Sequence, residues 1–431
     1  MGRASALPTT VRSVAPLLLA LSVWGAMATQ TADGAVGSRA TVDRLDFAPI
    51  VSRVLTRPTP VKGTDGRFHI VYEVVLTNNT PVTLAVESLE VRDTRTRKAL
   101  ASLSGPALAA NMGPLAGPAA NDPNDPSNLK PAAGLVDQAA TPDAATTMAS
   151  SQTSVVWLDL KVRSARPRSL EHFIVASSRP PPGQQFSFSG LIGRVQTGGT
   201  PVVIGPPVGP GLWVADEGCC TNPTHHRRAL PGFNGELLAV NRFAIDWVLV
   251  DSRHRAWIGD PTQLSSYLSY RQPLIAAASG RVVGTHDGVA NNPPQGVLAG
   301  SPPINDFAGN WVSIRIAPRR YLLYAHMVPG SVRVRKGQEV RRGQVIGLLG
   351  NSGNSSTPHL HFQVSDRPGF APVDSLPYVF DRFAFLGQIT DEFSDETLAL
   401  RPTGDLAFAP SGTPRVRRQE MPLDRNVLRF R

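Results

Sequence analysis

Short runs of β-branched and aromatic residues, separated by turns rich in glycine and proline, recur along this chain and limit what it can fold into. The 431 residues include 38 Gly and 39 Pro, and only 18% of them are charged. This composition favours many short strands joined by turns over long, solvent-exposed helices. A chain of this length also exceeds one ordinary hydrophobic core, so two folded units with connectors are expected.

The first predicted unit covers residues 45–198. Strand-like runs, rich in β-branched and aromatic residues, lie at 68–76 and 155–160. Between them, residues 105–152 are rich in Ala, Pro, Asn, Asp and Gly, and we interpret this segment as a flexible insertion. The pattern predicts a small, immunoglobulin-like β-sandwich. It contains no catalytic constellation, so a positioning or binding role is preferred.

The second predicted unit covers residues 201–384, where strands are short and turns are frequent. Residues 243–250 form one predicted strand, residues 311–326 a predicted hairpin, and residues 359–364 another strand. Many short strands at close spacing predict an antiparallel β-sheet or sandwich, so the expected fold class is mainly β. The remaining residues, 385–431, are interpreted as an irregular, basic C-terminal tail.

The N-terminus has the features of a secretory signal peptide. Arg3 and Arg12 precede an apolar run at 14–24, and Ala26-Met27-Ala28 follows as a small-residue cleavage pattern. The alternative is a membrane anchor, but the apolar run is shorter than the roughly 20 residues that a spanning helix needs. The sequence therefore predicts a signal peptide at 1–28, export to the periplasm or medium, and no stable membrane span after cleavage.

The formal net charge is +10, and the basic residues are nearly all arginine. They are scattered along the chain, and no helix-turn-helix, RNA-binding aromatic motif or zinc-finger spacing accompanies them. Nucleic acid is therefore not an expected partner. An anionic cell envelope suits this charge, although charge alone does not define a partner.

The only two cysteines, Cys219 and Cys220, are adjacent in the sequence. A disulfide framework is therefore excluded. Three alternatives stay open: a vicinal disulfide, two free thiols, or a bridge between two chains. A metal-binding role with the nearby histidines is disfavoured, because the spacing matches no common zinc pattern.

His359 and His361 are the first candidates for chemistry. Side chains two residues apart on a strand point to the same face, so both imidazoles can converge on one point. Neutral imidazole is a common ligand of Zn²⁺. Two ordinary surface histidines are the alternative that the His-Leu-His pattern alone leaves open.

The surrounding residues resolve this ambiguity. The segment 343–362, GQVIGLLGNSGNSSTPHLHF, resembles the signature of the M23 metallopeptidases, the lysostaphin-like family of cell-wall endopeptidases. Tyr324-Ala325-His326-Met327 resembles the Tyr-x-His-Leu segment of that family, and residues 336–344 resemble its glycine-turn strand pair. The resemblance covers roughly residues 235–375. It implies a lysostaphin-like antiparallel sheet for the second unit.

The resemblance also implies a set of site residues. The family binds one Zn²⁺ through a His, an Asp and the second His of the HLH pair, which corresponds here to Asp246 and His361. The other two family histidines assist the chemistry, and they correspond to His326 and His359. Three protein ligands and one open position are what a hydrolytic zinc site requires.

The chain departs from the family at the first ligand, where Arg242 stands in place of the usual histidine. Arginine stays protonated and cannot ligate zinc. Either the site is degenerate, or another histidine fills the position, and we take His226 as the substitute ligand. The competing interpretation is that His225 and His226 belong to an exposed basic loop.

Two functions follow from the resemblance. The first is a zinc-dependent endopeptidase that hydrolyses peptide bonds of peptidoglycan in the cell envelope. The alternative is a catalytically degenerate M23-like domain that binds the cell wall or regulates other hydrolases. The sequence leaves open which bond would be cut and what the oligomeric state is.

Overall fold

A computed structural model describes residues 48–115, 145–166, 168–178, 186–220, 224–294 and 302–430. The predicted signal peptide lies outside the described residues, and so does the part of the predicted insertion at 116–144. The described residues all belong to one compact unit. No helix among them is long and apolar enough to cross a bilayer.

The strands of the N-terminal part are β1 (Ile50–Val54), β2 (Val61–Lys62), β3 (Phe68–Asn78), β4 (Leu84–Asp93), β5 (Ala99–Ser104), β6 (Met112–Pro114), β7 (Thr147–Met148), β8 (Thr153–Val162), β9 (Ser169–Ser178) and β10 (Ser187–Gln196). The strands that follow are β11 (Val202–Ile204), β12 (Gly211–Asp216), β13 (Gly232–Phe233), β14 (Glu236–Leu237), β15 (Ile245–Val250), β16 (Pro273–Ile275), β17 (Gly280–His286), β18 (Asn310–Ala317), β19 (Arg320–Met327), β20 (Glu339–Val340), β21 (Val345–Leu348), β22 (Leu360–Ser365), β23 (Tyr378–Phe380), β24 (Phe383–Ile389), β25 (Phe408–Arg417) and β26 (Asn426–Phe430). The α-helices are α1 (Gly105–Asn111), α2 (His225–Arg228) and α3 (Asp395–Leu398).

The N-terminal part is a sandwich of two five-stranded sheets. One sheet has the order β1-β3-β8-β6 with β2 on β3, and the other has the order β10-β9-β4-β5 with β7 on β4. Along β3, Ile70, Tyr72, Val74 and Leu76 alternate toward the core that both sheets share. The predicted sandwich architecture is thus present, while an immunoglobulin-like topology stays a prediction.

The interpretation of residues 105–152 as a flexible insertion is wrong at the two described ends of that segment. Gly105 begins α1, β6 pairs with β8, and β7 pairs with β4. The physical reason is that Leu108, Met112 and Met148 are buried in the sandwich core. These apolar residues are isolated among Ala, Pro and Asn, so they produce no helix or strand period in the sequence.

The second part is built on a ten-stranded sheet with the order β20-β17-β18-β19-β22-β15-β12-β26-β24-β25. Every neighbouring pair in it is antiparallel, and the predicted hairpin at 311–326 corresponds to β18 and β19. The prediction of a mainly β, antiparallel fold is confirmed.

The interpretation of residues 385–431 as an irregular tail is wrong for most of that segment. Strands β24, β25 and β26 extend the ten-stranded sheet, with β26 between β12 and β24. Leu428 and Phe430 belong to the same core as Trp247 on β15, and the rings of Phe430 and Trp247 lie 5.5 Å apart. The core therefore continues past the predicted boundary at 384.

Candidate metal centre and active site

Strand register brings Asp246 and His361 together. Asp246 on β15 pairs directly with His361 on β22, and both side chains are buried. The Nδ1 atom of His361 lies 3.0 Å from Oδ1 of Asp246. The two residues that the family resemblance assigned to the metal are therefore adjacent on one face of the sheet.

The side chain of His226 joins this pair from outside the sheet. It lies on the short helix α2, and its Nε2 atom is 3.4 Å from Oδ2 of Asp246. Its ring centroid is 4.8 Å from that of His361, and only 2% of the residue is exposed. The alternative that places His226 in an exposed loop is wrong.

His359 and His326 complete the cluster around Asp246. His359 directly precedes β22, and its Nε2 atom is 3.6 Å from Oδ2 of Asp246. His326, near the end of β19, has a φ of 61° and a ring centroid 4.9 Å from that of His359. The structure thus gathers all five residues singled out in the sequence around one carboxylate.

Three of the four histidines turn Nδ1 toward a backbone carbonyl oxygen. The acceptors are Glu217 O for His226 at 3.1 Å, Ser352 O for His326 at 2.8 Å, and Thr357 O for His359 at 2.8 Å. A carbonyl can only accept, so Nδ1 carries the proton in each neutral ring. Each Nε2 is then an unprotonated lone pair.

Burial keeps the rings of His226 and His326 uncharged. Burial lowers the pKa of His226 to about 4 and lowers the pKa of His326 well below its usual range. For Asp246, burial alone would raise the pKa. The attraction of His226 and His359 in their protonated forms, together with the hydrogen bond to His361, outweighs burial and holds the pKa of Asp246 well below the ordinary value.

The cluster opens into a pocket whose other walls sequence reasoning missed. These lining residues are His225, Ala229, Val240, Asn241, Phe307, Asn354, Phe370 and Asp395. Asp395 comes from α3, in the segment interpreted as a tail, and its carboxylate accepts a hydrogen bond from Ser356 N at 2.8 Å. Apart from Asn354, which lies in the signature segment, and His225, no local pattern links these positions, so the sequence carries no signal for them.

Arg242, the departure from the family pattern, makes its contacts with the sandwich. Its guanidinium Nε lies 3.0 Å from both carboxylate oxygens of Glu73 on β3. The residue at the position of the family's first ligand thus forms an ion pair with Glu73. The imidazole of His226, on α2, lies beside Asp246.

The remaining sequence features are structural. Cys219 and Cys220 form a disulfide with each other, the first of the three alternatives. His69 contacts Asp159, His172 contacts Tyr72, and His286 contacts Asp306, as expected of satisfied core or surface histidines. A nearby group, Glu217 with His225 and His226, also has metal-ligand spacing, with His226 shared between the two groups.

The antiparallel β fold and the buried imidazoles around one carboxylate are accompanied by a match to a known family. Residues 267–374 match Peptidase family M23. This match confirms the resemblance to the M23 peptidases that the HLH segment predicted. His326, His359 and His361 lie inside the matched residues, whereas His226 and Asp246 precede them.

Two relatives in Vibrio cholerae serotype O1 are similar over part of this domain. The peptidoglycan DD-endopeptidase ShyA is 41% identical over 73 residues, and the peptidoglycan DD-endopeptidase ShyB is 40% identical over 70 residues. Each alignment spans 16% of this chain and 16% of the relative. The chain thus matches only about one sixth of the length of these relatives.

Solved structures with a similar arrangement include two peptidases. The catalytic domain of lysostaphin from Staphylococcus simulans is 21% identical, with 34% of this chain and 80% of that chain covered and a TM-score of 0.21. A zinc-containing peptidase from Vibrio cholerae is 16% identical, with coverages of 48% and 82% and a TM-score of 0.19. Scores this low carry no argument about function.

Proposed function

We propose that this chain is a zinc-dependent endopeptidase that hydrolyses peptide bonds of peptidoglycan, with His226, Asp246 and His361 as zinc ligands. One observation carries the proposal. One potential ligand atom from each of these three buried residues lies within 4.8 Å of the other two. The names of the similar Vibrio cholerae enzymes support peptidoglycan as the substrate class.

The chemistry of these three side chains fits zinc. The Nε2 lone pair of His226 faces an ionised Asp246 oxygen at 3.4 Å with no proton between them. Two electron-rich atoms in that arrangement repel each other, and a shared cation removes the repulsion. Two imidazoles and one carboxylate are a common ligand set for catalytic Zn²⁺ and leave one position open for water or substrate.

When bound, zinc would polarise the scissile carbonyl and lower the pKa of a coordinated water. His359 is positioned to take a proton, because Thr357 O holds its Nδ1–H and its Nε2 lone pair faces the cluster. His326 is neutral in the resting site, with its Nδ1–H held by Ser352 O. It can therefore donate only after it has received the proton that His359 takes from the attacking water, and we assign it the transfer of that proton to the leaving amine.

The alternative function is a degenerate domain that binds the cell wall without cutting it. Arg242 is the observation that favours it, since the usual first ligand is missing. We prefer the enzyme, because Arg242 is engaged by Glu73 and His226 stands beside Asp246. We also propose that the protein acts in the cell envelope after export, which the substrate class and the predicted signal peptide both favour.

The test is the zinc content of the purified protein, measured beside His226→Ala and His361→Ala. We expect about one zinc per wild-type chain and loss of the metal in both variants. His286→Ala, at a half-exposed histidine paired with Asp306, is the matched control and keeps its zinc. Wild-type protein and control then release peptides from cross-linked muropeptides, and the two ligand variants do not.

Absence of zinc from the wild type after reconstitution would contradict the enzyme and favour the degenerate domain. Binding to purified sacculi, measured by co-sedimentation, would then decide for the alternative. A variant His226→Ala that keeps a full complement of zinc would remove His226 from the ligand set.

A further inference from the structure

We propose that Arg227, anchored on Glu73 of the sandwich, positions His226, so that the N-terminal sandwich is a functional part of the metal centre. This inference rests on the proposed function, because it concerns the ligand that replaces the usual first histidine. Arg227 and Glu73 are positioning residues, since neither belongs to the residues that line the pocket.

Helix α2 needs an external anchor. It has only four residues, His225–Arg228, and a helix this short has almost no stability of its own. Its local support is modest: Thr224 caps it by accepting a hydrogen bond from Arg227 N at 3.3 Å, and His226 Nδ1 contacts Glu217 O. Whatever fixes the rest of α2 therefore also fixes the direction of the His226 imidazole.

The anchor is the side chain of Arg227, the residue next to His226. Its Nη1 donates to Oε1 of Glu73, and its Nη2 donates to Tyr72 O at 3.0 Å and to Leu158 O at 3.1 Å. The planar guanidinium thus joins two neighbouring sandwich strands, β3 and β8, to α2. All of these contacts are buried.

Glu73 is shared with a second arginine. The residue is fully buried, and its Oε2 also accepts from Nη2 of Arg242 at 2.6 Å. Arg242 lies four residues before Asp246, where the family has its first ligand. Glu73 therefore pairs with two buried guanidiniums, Arg227 beside the substitute ligand and Arg242 at the vacated position, and Arg242 also lies 4.0 Å from Oδ1 of Asp374.

This arrangement allows a matched pair of variants with one chemical change each. Arg227→Met removes the anchor of α2 and leaves the Glu73–Arg242 pair intact. Arg242→Met leaves the Glu73–Arg227 anchor intact. Either way one buried carboxylate stays paired with one arginine, and methionine retains much of the apolar stem. The variants differ in whether the buried Arg227 anchor of α2 is present, while the contacts of Arg228 with Ala110 O and the Trp157 ring remain in both.

We expect Arg227→Met to bind zinc about 10- to 100-fold more weakly than wild type, the usual effect of losing a group that orients a ligand. Arg242→Met should stay within about threefold of wild type. Competition titration with a zinc chelator measures both affinities. The visible spectrum of the Co²⁺-loaded protein, which reports ligand geometry, should change for Arg227→Met and not for Arg242→Met.

Thermal unfolding of the metal-free proteins shows whether each variant folds. If Arg227→Met does not, Arg227→Lys takes its place, since a lysine keeps the charge but lacks the rigid fork that serves Glu73 and both carbonyls. A folded variant at 227 that binds zinc as tightly as wild type overturns the inference. Equal losses in both variants also overturn it. Wild-type protein without zinc would instead reject the proposed function itself.

Discussion

The hydrogen bond made by Nδ1 sets the tautomer of His326 and of His359. Ser352 O and Thr357 O hold Nδ1 of His326 and His359, so both rings present Nε2 toward the cluster. The HLH pattern predicted that His359 and His361 would share a site, because alternate residues of a strand share a face. It could not predict the tautomers, which depend on the local path of the backbone that aims Ser352 O and Thr357 O at the two rings.

Loss of His359 should separate metal binding from catalysis. We expect His359→Ala to keep about one zinc per chain while peptide release falls by at least about 100-fold, the usual contribution of a general base. Metal analysis of the preparation checks that zinc is retained, and muropeptide digestion by the same preparation checks the loss of activity. Loss of zinc in this variant would instead place His359 among the ligands.

A buried histidine outside the site should contribute to the acid sensitivity of the fold. His172 is buried in the sandwich, contacts Tyr72 Oη at 2.9 Å, and burial lowers its pKa to about 4. The unfolded chain, with an ordinary pKa near 6.5, binds more protons between these values, so stability is lost as pH falls from about 6.5 toward 4. The shift corresponds to about 3 kcal/mol.

His172→Gln tests this assignment, because glutamine cannot titrate but retains a donor and an acceptor. Urea unfolding of the metal-free proteins at pH 7 and near pH 4, followed by tryptophan fluorescence, should show a smaller acid loss in the variant by about 3 kcal/mol. An unchanged pH dependence would assign the acid sensitivity to other buried groups.

Among the elements, those with strong periodicity were predictable and those held by distant partners were not. The hairpin β18–β19 and the strand β22 follow from β-branched runs and turn residues. The pairing of Asp246 with His361 is a register between strands far apart in the sequence, and the sequence alone does not fix it. Helix α2 has only four residues, too few to show a helical hydrophobic period. Strand β26 has five residues and lies among arginines, so neither element was predictable.

Strand β26 should be essential to the stability of the sheet. Phe430→Ala removes a buried ring that packs on Trp247 and Phe380, and we expect it to lower the free energy of unfolding by about 3–5 kcal/mol. Leu400→Ala is the control, because Leu400 is 68% exposed, and it should change stability little. Chemical denaturation compares them. Similar small effects would mean that β26 contributes little.

Across the whole molecule, the proposed ligands come from three separate elements, α2, β15 and β22. A metal held by elements that are distant in sequence binds the folded chain only, so it stabilises that state. At a free zinc concentration 100 times the Kd, the gain is about 2.7 kcal/mol.

Removal of zinc with a chelator should therefore lower the Tm of the wild type by several degrees, and re-addition should restore it. His226→Ala should show no such shift, since it lacks one ligand. Differential scanning calorimetry measures both proteins. A chelator effect of equal size in His226→Ala would show that the stabilising ion binds elsewhere.

The position of β26 between β12 and β24 has a consequence for how the chain acquires its structure. During synthesis, β12 and β15 can pair early, but β12 keeps one unpaired edge until β26 has left the ribosome. Contacts between such distant segments slow folding and leave strand edges exposed in the meantime. Strand β12, which pairs with the strand that carries Asp246, therefore becomes flanked on both edges late in synthesis, after β15 already has its two neighbours β12 and β22.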